Sequence, residues 1–158
     1  MGLFMDANGI PIALNINPGN TNESKTMIPL EKKILEEFEL DFKNIVVCTD
    51  AAMCTDDIKK FNVKDGRGFV ITQSIKKLNQ DLKNWALDPE GWRIVGNLKN
   101  TYNLKEIEQD ENLKNMCFNK IFYKEIECET KSVKQTLIVT FSFKYQAWQK
   151  AVKLKQFE

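Results

Sequence analysis

The stretch Lys43-Asn44-Ile45-Val46-Val47-Cys48-Thr49-Asp50 is a short apolar run that ends in a carboxylate. The run Ile45–Cys48 shows no alternation of apolar and polar residues, which predicts a strand covered on both faces. Such strands form the middle of α/β sheets, whose functional residues collect at the carboxyl ends of the strands. We therefore take Asp50 as the candidate residue for chemistry and Cys48 as a small core residue.

Two short apolar segments precede this strand and predict a β-hairpin. Residues 2–5 and 10–16 have the composition of strands, and Asp6-Ala7-Asn8-Gly9 lies between them. An Asn-Gly pair tolerates the positive φ angles of a tight primed turn, so we expect the turn to be built on that pair. Pro11 has no amide hydrogen, which predicts an edge position in the sheet.

Helices alternate with strands through the rest of the first half. Apolar residues recur at helical spacing in 25–38. We expect Ser24 or Thr26 as the N-cap of this helix and Pro29 in its first turn. The later elements of this half are a helix at 55–61 and a strand at 69–73.

The pattern changes beyond residue 74 and predicts a β-rich second half. A β-hairpin is expected between 118–129 and 135–141, whereas 100–115 is polar and predicts no regular element. The elements expected here are a helix at 75–87, strands at 92–95, 117–124 and 135–141, and a basic helix at 143–157.

Composition limits the chemistry that this chain can perform. The 158 residues have a net charge of +1 and include no histidine, which excludes serine–histidine and cysteine–histidine catalysis within the chain. The four cysteines form no Cys-x-x-Cys pair and suit a reducing compartment. No apolar run is long enough to span a membrane, so we expect a cytoplasmic protein with no membrane partner.

Asp50 has two interpretations. As a ligand, it would contribute to a site for one or two Mg²⁺ ions, which prefer carboxylate oxygens. As a structural residue, it would cap the turn that follows the strand. Asp56 and Asp57 lie in the first turn of a predicted helix, where the helix dipole is enough to explain them.

Lysines in two places suggest contacts with nucleic acid. Lys76 and Lys77 lie near Trp85 and Trp92 in the sequence, a combination found in proteins that bind single strands. The alternative is two core tryptophans beside solvated lysines. The predicted C-terminal helix carries three lysines that could contact phosphates or simply form a solvated face: Lys150, Lys153 and Lys155.

Several motifs, taken in order, resemble the middle of DDE transposases of bacterial insertion sequences. They are Gly2-Leu3-Phe4-Met5-Asp6-Ala7-Asn8-Gly9-Ile10-Pro11-Ile12, then Pro18-Gly19-Asn20-Thr21-Asn22-Glu23, the strand ending at Asp50, and Gly68-Phe69-Val70-Ile71-Thr72-Gln73-Ser74-Ile75. In that family a hairpin leads to such a loop, a helix, and a strand that ends in the second catalytic aspartate. The resemblance is close over 1–77 and looser over 78–158.

The resemblance implies an α/β fold of the ribonuclease-H-like type, with a mixed sheet whose first strand is missing here. Residues 1–74 would be a partial catalytic core, and 75–158 a β-rich insertion with a trailing basic helix. The family cleaves and joins DNA with Mg²⁺, for which Mn²⁺ can substitute. Asp50 would be one of its three metal-binding carboxylates. The family often has a glycine two residues after this aspartate, where the present chain has Ala52.

The other two family carboxylates have no counterpart in this sequence. We therefore expect a central fragment of a transposase, whose metal, DNA partners and activity belong to the full-length protein, and we expect the isolated chain to be inactive. Whether it forms a homodimer is left open. The alternative is a non-catalytic α/β domain, left from a truncated transposase gene, that binds nucleic acid or a partner. A decayed gene product without a role is the third interpretation.

Overall fold

A computed structural model describes residues 2–38, 45–130 and 133–156. The chain folds as two compact units. Within the described residues, the first holds residues 2–77 and Val133, and the second holds the rest. The start of the stretch quoted above, the centre of the hairpin turn expected at 130–134 and the last residue of the helix expected at 143–157 lie outside the described residues.

The first unit begins with the expected hairpin. Strand β1, Gly2–Met5, pairs antiparallel with strand β2, Pro11–Asn15. The turn differs from the prediction, because the amide of Gly9 donates to the carbonyl of Asp6 at 3.1 Å and encloses residues 7 and 8. Gly9 follows that turn with φ at 81°, a conformation that other residues rarely adopt. The Asn-Gly pair is thus used, but one position later than a two-residue primed turn requires.

Helix α1, Glu23–Glu37, follows the loop after β2. Its N-cap is Asn22, whose side-chain oxygen accepts from the amide of Ser24 at 3.0 Å, so neither Ser24 nor Thr26 is the cap. Pro29 lies inside the helix, beyond the first turn where we expected it. The prediction began the helix two residues late because the first four residues of the helix are polar and carry no apolar spacing.

A parallel pair of strands forms the second sheet of this unit. Strand β3, Val46–Thr49, pairs with strand β4, Gly68–Ile71, and helix α2, Asp56–Val63, connects them. The expectation that β3 is covered on both faces is wrong. Val46 is 60% exposed and Cys48 is also exposed, because within the described residues this sheet has two strands and one face is open.

The helices of the first unit enclose its small core. Helix α1 contacts β2 and α2, and α2 contacts β4. Buried apolar residues include Met27, Ile34, Leu35 and Ile58. Four polar residues are buried with them: Glu31, Lys59, Asn62 and Arg67. The hairpin and the parallel pair remain separate two-stranded sheets in the described structure, so a single mixed sheet is not seen.

The second unit is built on a four-stranded sheet, which agrees with the predicted β-rich half. The strand order is β6-β5-β7-β8. The strands are β5 Trp92–Ile94, β6 Asn97–Tyr102, β7 Phe122–Thr130 and β8 Val133–Phe141. The helices are α3 Gln80–Leu87, α4 Leu104–Gln109, α5 Glu111–Cys117 and α6 Phe143–Lys155.

The polar segment 100–115 contains regular structure that the sequence pattern did not predict. It includes the end of β6, all of α4 and most of α5. Both helices have side-chain caps, since Asn103 accepts from the amides that begin α4 and Asp110 from those that begin α5. The strand expected at 117–124 begins only at Phe122, because α5 occupies the residues up to Cys117.

Aromatic rings form the core of this unit. Trp92, Phe122 and Phe143 are buried together with Ile107, and Phe141 packs against them. The Phe141 and Phe143 rings meet edge to face with 5.0 Å between centroids. Edge-to-face contacts of this kind are favourable beyond the area that they bury. The first residue of α6 is therefore anchored in the core.

Candidate functional site

The two parallel strands of the first unit bring their carboxyl ends to one edge. Thr49 of β3 lies opposite Ile71 of β4, and the amide of Thr72 donates to the carbonyl of Thr49 at 3.3 Å. At the other end of the strand pair, Gly68 lies close to Val46. A Cβ added to Gly68 would be 3.4 Å from Cγ2 of Val46. Residues that follow both strands thus share one edge of the sheet, which is where α/β sheets place their sites.

Asp50 is the first residue after β3 and its side chain is exposed. Its Oδ1 atom accepts a hydrogen bond from the amide of Ala52 at 2.9 Å. This hydrogen bond is the one expected if the aspartate caps the following turn. Capping does not use up the carboxylate, because each of its oxygens can accept more than one bond. Asp50 remains able to bind a cation.

Ala52 lies within a regular turn. Residues Ala51–Met53 form a 3₁₀ helix with Asp50 as its N-cap. Such a helix uses negative φ angles, which alanine adopts without strain. The replacement of the glycine common in DDE transposases therefore leaves an ordinary capped turn after the aspartate.

A second polar contact lies beside this turn, between two residues that the sequence did not single out. The thiol of Cys54 donates to Oε1 of Gln73 at 2.7 Å, and both side chains are half-buried. Cys54 follows the 3₁₀ helix, and Gln73 lies just beyond β4. The only signal available in the sequence was their position after predicted strands. Their contact joins the two segments that leave the carboxyl edge.

The described residues do not by themselves form a site for two metal ions. They contain no group of three or more histidine, cysteine, aspartate or glutamate side chains that could hold one ion. Asp56 and Asp57, the acids nearest in sequence, belong to the first turn of α2. Their position there is the one that the helix dipole favours. Within the described residues, Asp50 therefore has no such group around it.

The predicted nucleic-acid-binding lysines lie in different units. Lys76 and Lys77 are exposed on the 3₁₀ helix Ile75–Lys77 of the first unit. The lysines of the C-terminal helix are exposed on α6 of the second unit: Lys150, Lys153 and Lys155. Each group is accessible to a phosphate backbone.

Comparison with protein families tests the resemblance seen in the sequence. The family model described as "Transposase DDE domain" matches residues 1–154. The chain belongs to this family. The resemblance seen in the sequence is confirmed, and membership of the DDE family implies a function in transposition and work on DNA. No curated protein and no solved structure matched at the required significance.

Of the two tryptophans that the sequence analysis discussed, Trp92 belongs to the core of this DDE domain and Trp85 is half-buried. Trp92 is 4% exposed, and its ring lies 4.8 Å from Nζ of Lys124. That ammonium also lies 5.2 Å from the Trp85 ring and donates to the carbonyl of Asp88 at 2.8 Å. Burial lowers the pKa of Lys124, while the charge of Asp88 raises it in part. The interpretation of a core tryptophan thus fits Trp92.

Lys124 is a residue that sequence analysis missed. It is the third residue of β7, between Tyr123 and Glu125, and a lysine is seldom buried. Only the fold shows that its ammonium reaches two aromatic rings and a backbone carbonyl.

Among the described helices of the DDE domain, none has both the length and the apolar composition needed to cross a membrane.

Proposed function

We propose that this chain contributes Asp50 to a three-carboxylate metal site that cleaves DNA and transfers strands during transposition. The observation that carries the proposal is the place of Asp50 at the carboxyl edge of a parallel strand pair, with an exposed carboxylate. Membership of the transposase DDE domain family supports it. In this proposal residues 1–74 are part of a ribonuclease-H-like core, and 75–158 are its β-rich insertion and trailing helix.

The metal of this site would be Mg²⁺, with Mn²⁺ as the substitute. Such an ion would stabilise negative charge on phosphodiester oxygens. Within the chain, the role of Asp50 is to hold one position of the coordination sphere, and the capped turn at Ala52 fixes its backbone. An ion held by one carboxylate keeps most of its water. We therefore propose that the isolated chain is a fragment that does not cut DNA, with the remaining carboxylates supplied by the full-length protein.

The open face of the first unit supports the idea of a fragment. Strand β3 has a partner on one side only within the described residues, and apolar side chains on β3 and β4 are exposed. Val46 and Val70 are each 60% exposed. Monomeric proteins seldom expose large contiguous apolar patches, so we propose that a further layer of the full-length transposase covers these strands.

One measurement tests Asp50 separately from activity. We expect Mn²⁺ to broaden the NMR signals of the Ala51 and Ala52 amides of the purified chain at millimolar concentration. Asp50→Asn should remove this broadening and keep the cap, whereas Asp57→Asn, which changes an exposed acid on α2, should not. Unchanged broadening in the Asp50→Asn variant would contradict the proposed ligand.

The expected inactivity has its own test. Supercoiled plasmid is incubated with the purified chain and Mg²⁺ or Mn²⁺, and the nicked form is quantified. We expect no metal-dependent nicking above that of the Asp50→Ala variant. Nicking by the native chain that Asp50→Ala abolishes would show a working site and overturn the proposed need for other carboxylates.

A non-catalytic DNA-binding domain is the second candidate. The basic character of α6 favours it, since Phe143–Lys155 contains lysines but no acidic residue. Under this alternative, Asp50→Asn leaves DNA binding intact. Replacing Lys150, Lys153 and Lys155 by glutamine would weaken binding and flatten its salt dependence. Lys76 and Lys77 are proposed as additional phosphate contacts, to be tested in the same way.

A further inference from the structure

Helix α6 carries an aromatic pair on its surface. The rings of Tyr145 and Trp148 are stacked, with 5.4 Å between centroids and 25° between planes. Each residue is 57% exposed. Their spacing of three residues places both on one face of the helix. Stacking covers the inner face of each ring, so the pair presents an outer ring face and ring edges to solvent.

The rest of α6 gives this surface little cover. Phe143 is buried in the aromatic core, but most of the side chains that follow are exposed. Leu154, near the end of the helix, is 69% exposed. Large rings left in water at the surface of a helix commonly mark a binding surface. The structure thus provides a rigid aromatic surface without an internal partner for its outer face.

The charge around these rings indicates the kind of partner. Helix α6 contains four lysines and no acidic residue. They are Lys144, Lys150, Lys153 and Lys155. Lysine is depleted in the centre of protein–protein interfaces, whereas aromatic rings beside positive charge are typical of surfaces that bind single-stranded nucleic acid. Charge complementarity therefore favours a polyanion with exposed rings of its own.

We propose that the Tyr145–Trp148 pair is a stacking platform for unpaired bases of DNA, with the lysines of α6 holding the adjacent phosphates. The proposal rests on the proposed DNA-binding function and adds the form of DNA that this helix prefers. In a duplex both faces of each base are covered by neighbouring bases, so flat rings on a helix gain little. In unpaired DNA the base faces are free, and stacking on protein rings tolerates any sequence.

The test compares two forms of one labelled oligonucleotide of mixed sequence, single-stranded and annealed to its complement, by fluorescence anisotropy. We expect the purified chain to bind the single strand more tightly. Tyr145→Ala and Trp148→Ala should each weaken single-strand binding about tenfold and change duplex binding by less than about twofold. Leu154→Ala, which removes another exposed apolar side chain of the same helix, should change neither.

Two further variants separate stacking from apolar contact and from charge. Trp148→Leu keeps an apolar side chain but removes the ring, so it should lose single-strand affinity as Trp148→Ala does. Replacement of Lys150, Lys153 and Lys155 by glutamine should weaken the binding of both the single strand and the duplex. It should also reduce the salt dependence of that binding. Circular dichroism of each variant checks that the exposed substitutions leave the fold unchanged.

Three results would overturn the proposal. Binding of single strand and duplex with equal affinity, unaffected by the aromatic variants, would deny the platform while leaving DNA binding in place. Full single-strand affinity in Trp148→Leu would replace stacking with general apolar contact. A shift from dimer to monomer on Trp148→Ala, seen by sedimentation, would assign the face to a second copy. Failure to bind either DNA at low salt would instead reject the proposed DNA-binding function itself.

Discussion

Nδ2 of Asn62 donates a hydrogen bond to Oε2 of Glu31 across 3.3 Å and joins α2 to α1 inside the first unit. Glu31 is 3% exposed, and its Oε1 atom has no hydrogen-bond partner. Burial raises the pKa of Glu31, against the lowering effects of the Asn62 hydrogen bond and the charge of Arg67. The folded unit therefore holds a proton on this carboxyl more tightly than the unfolded chain does.

The raised pKa predicts a stability that falls as pH rises. The folded state binds the proton more strongly than the unfolded state does. The stabilisation that results is complete below the ordinary pKa of glutamate, and it is lost as pH rises through the higher pKa of the folded state. Glu31→Gln keeps an acceptor for Asn62 and cannot ionise. We expect this variant to flatten the pH dependence and to be more stable than the native chain at the high end of the range.

The measurement needs a signal from the first unit, because all three tryptophans lie in the second. Amide hydrogen exchange of α1, corrected for the intrinsic effect of pH, reports the opening free energy of this unit. Glu36→Gln, a change at an exposed position of the same helix, is the matched control and should follow the native profile. Parallel profiles for all three proteins would contradict the prediction.

Lys124 should stabilise the second unit. Its ammonium donates to the carbonyl of Asp88 and lies over the rings of Trp85 and Trp92. Lys124→Met keeps the length of the side chain but removes the charged donor, and we expect a loss of about 1.5–3 kcal/mol in the free energy of unfolding.

Urea denaturation followed by tryptophan fluorescence measures this loss directly, since two of the reporting rings contact the ammonium. Lys120→Met, at an exposed position just before β7, is the control and should shift the free energy of unfolding by less than about 0.5 kcal/mol. Equal effects of the two substitutions would mean that the contact with the tryptophan rings contributes nothing specific.

The capped turn after β3 predicts how variants of Asp50 differ. Asp50→Ala removes the acceptor of the Ala52 amide and should cost about 1 kcal/mol of stability, whereas Asp50→Asn retains an oxygen in the same place. Thermal unfolding of the two variants beside the native chain checks the order. If asparagine proves as costly as alanine, the loss comes from the charge rather than from the cap.

Local sequence patterns were enough for most elements of the first unit. The hairpin, α1, β3, α2 and β4 all occur where apolar spacing and turn residues placed them. The burial of β3 could not be predicted, because an unbroken apolar run shows that a strand avoids water but not which neighbours cover it. Val46 and Cys48 are exposed for that reason.

The helices in the polar segment before β7 were harder to predict from the sequence. Helices α4 and α5 have short apolar faces, and their strongest signals are the caps Asn103 and Asp110, which the pattern analysis passed over. The position of Asp50 was predicted from the sequence, whereas its role as a ligand stays a prediction. Asp50 follows from strand position alone, but the roles of Glu31 and Lys124 depend on residues distant in sequence that only the fold brings together.

The anchoring of α6 by its first residue has a consequence for the entropy of recognition. Helix ends fray unless packing holds them, and here the packing is concentrated at Phe143. Order should therefore decline along the helix, with the aromatic rings in its firm first turns and Lys153 and Lys155 in the last turn. A nucleic-acid ligand would meet a preorganised aromatic pair first and would then order a charged end that is free to adjust to the path of the phosphate backbone.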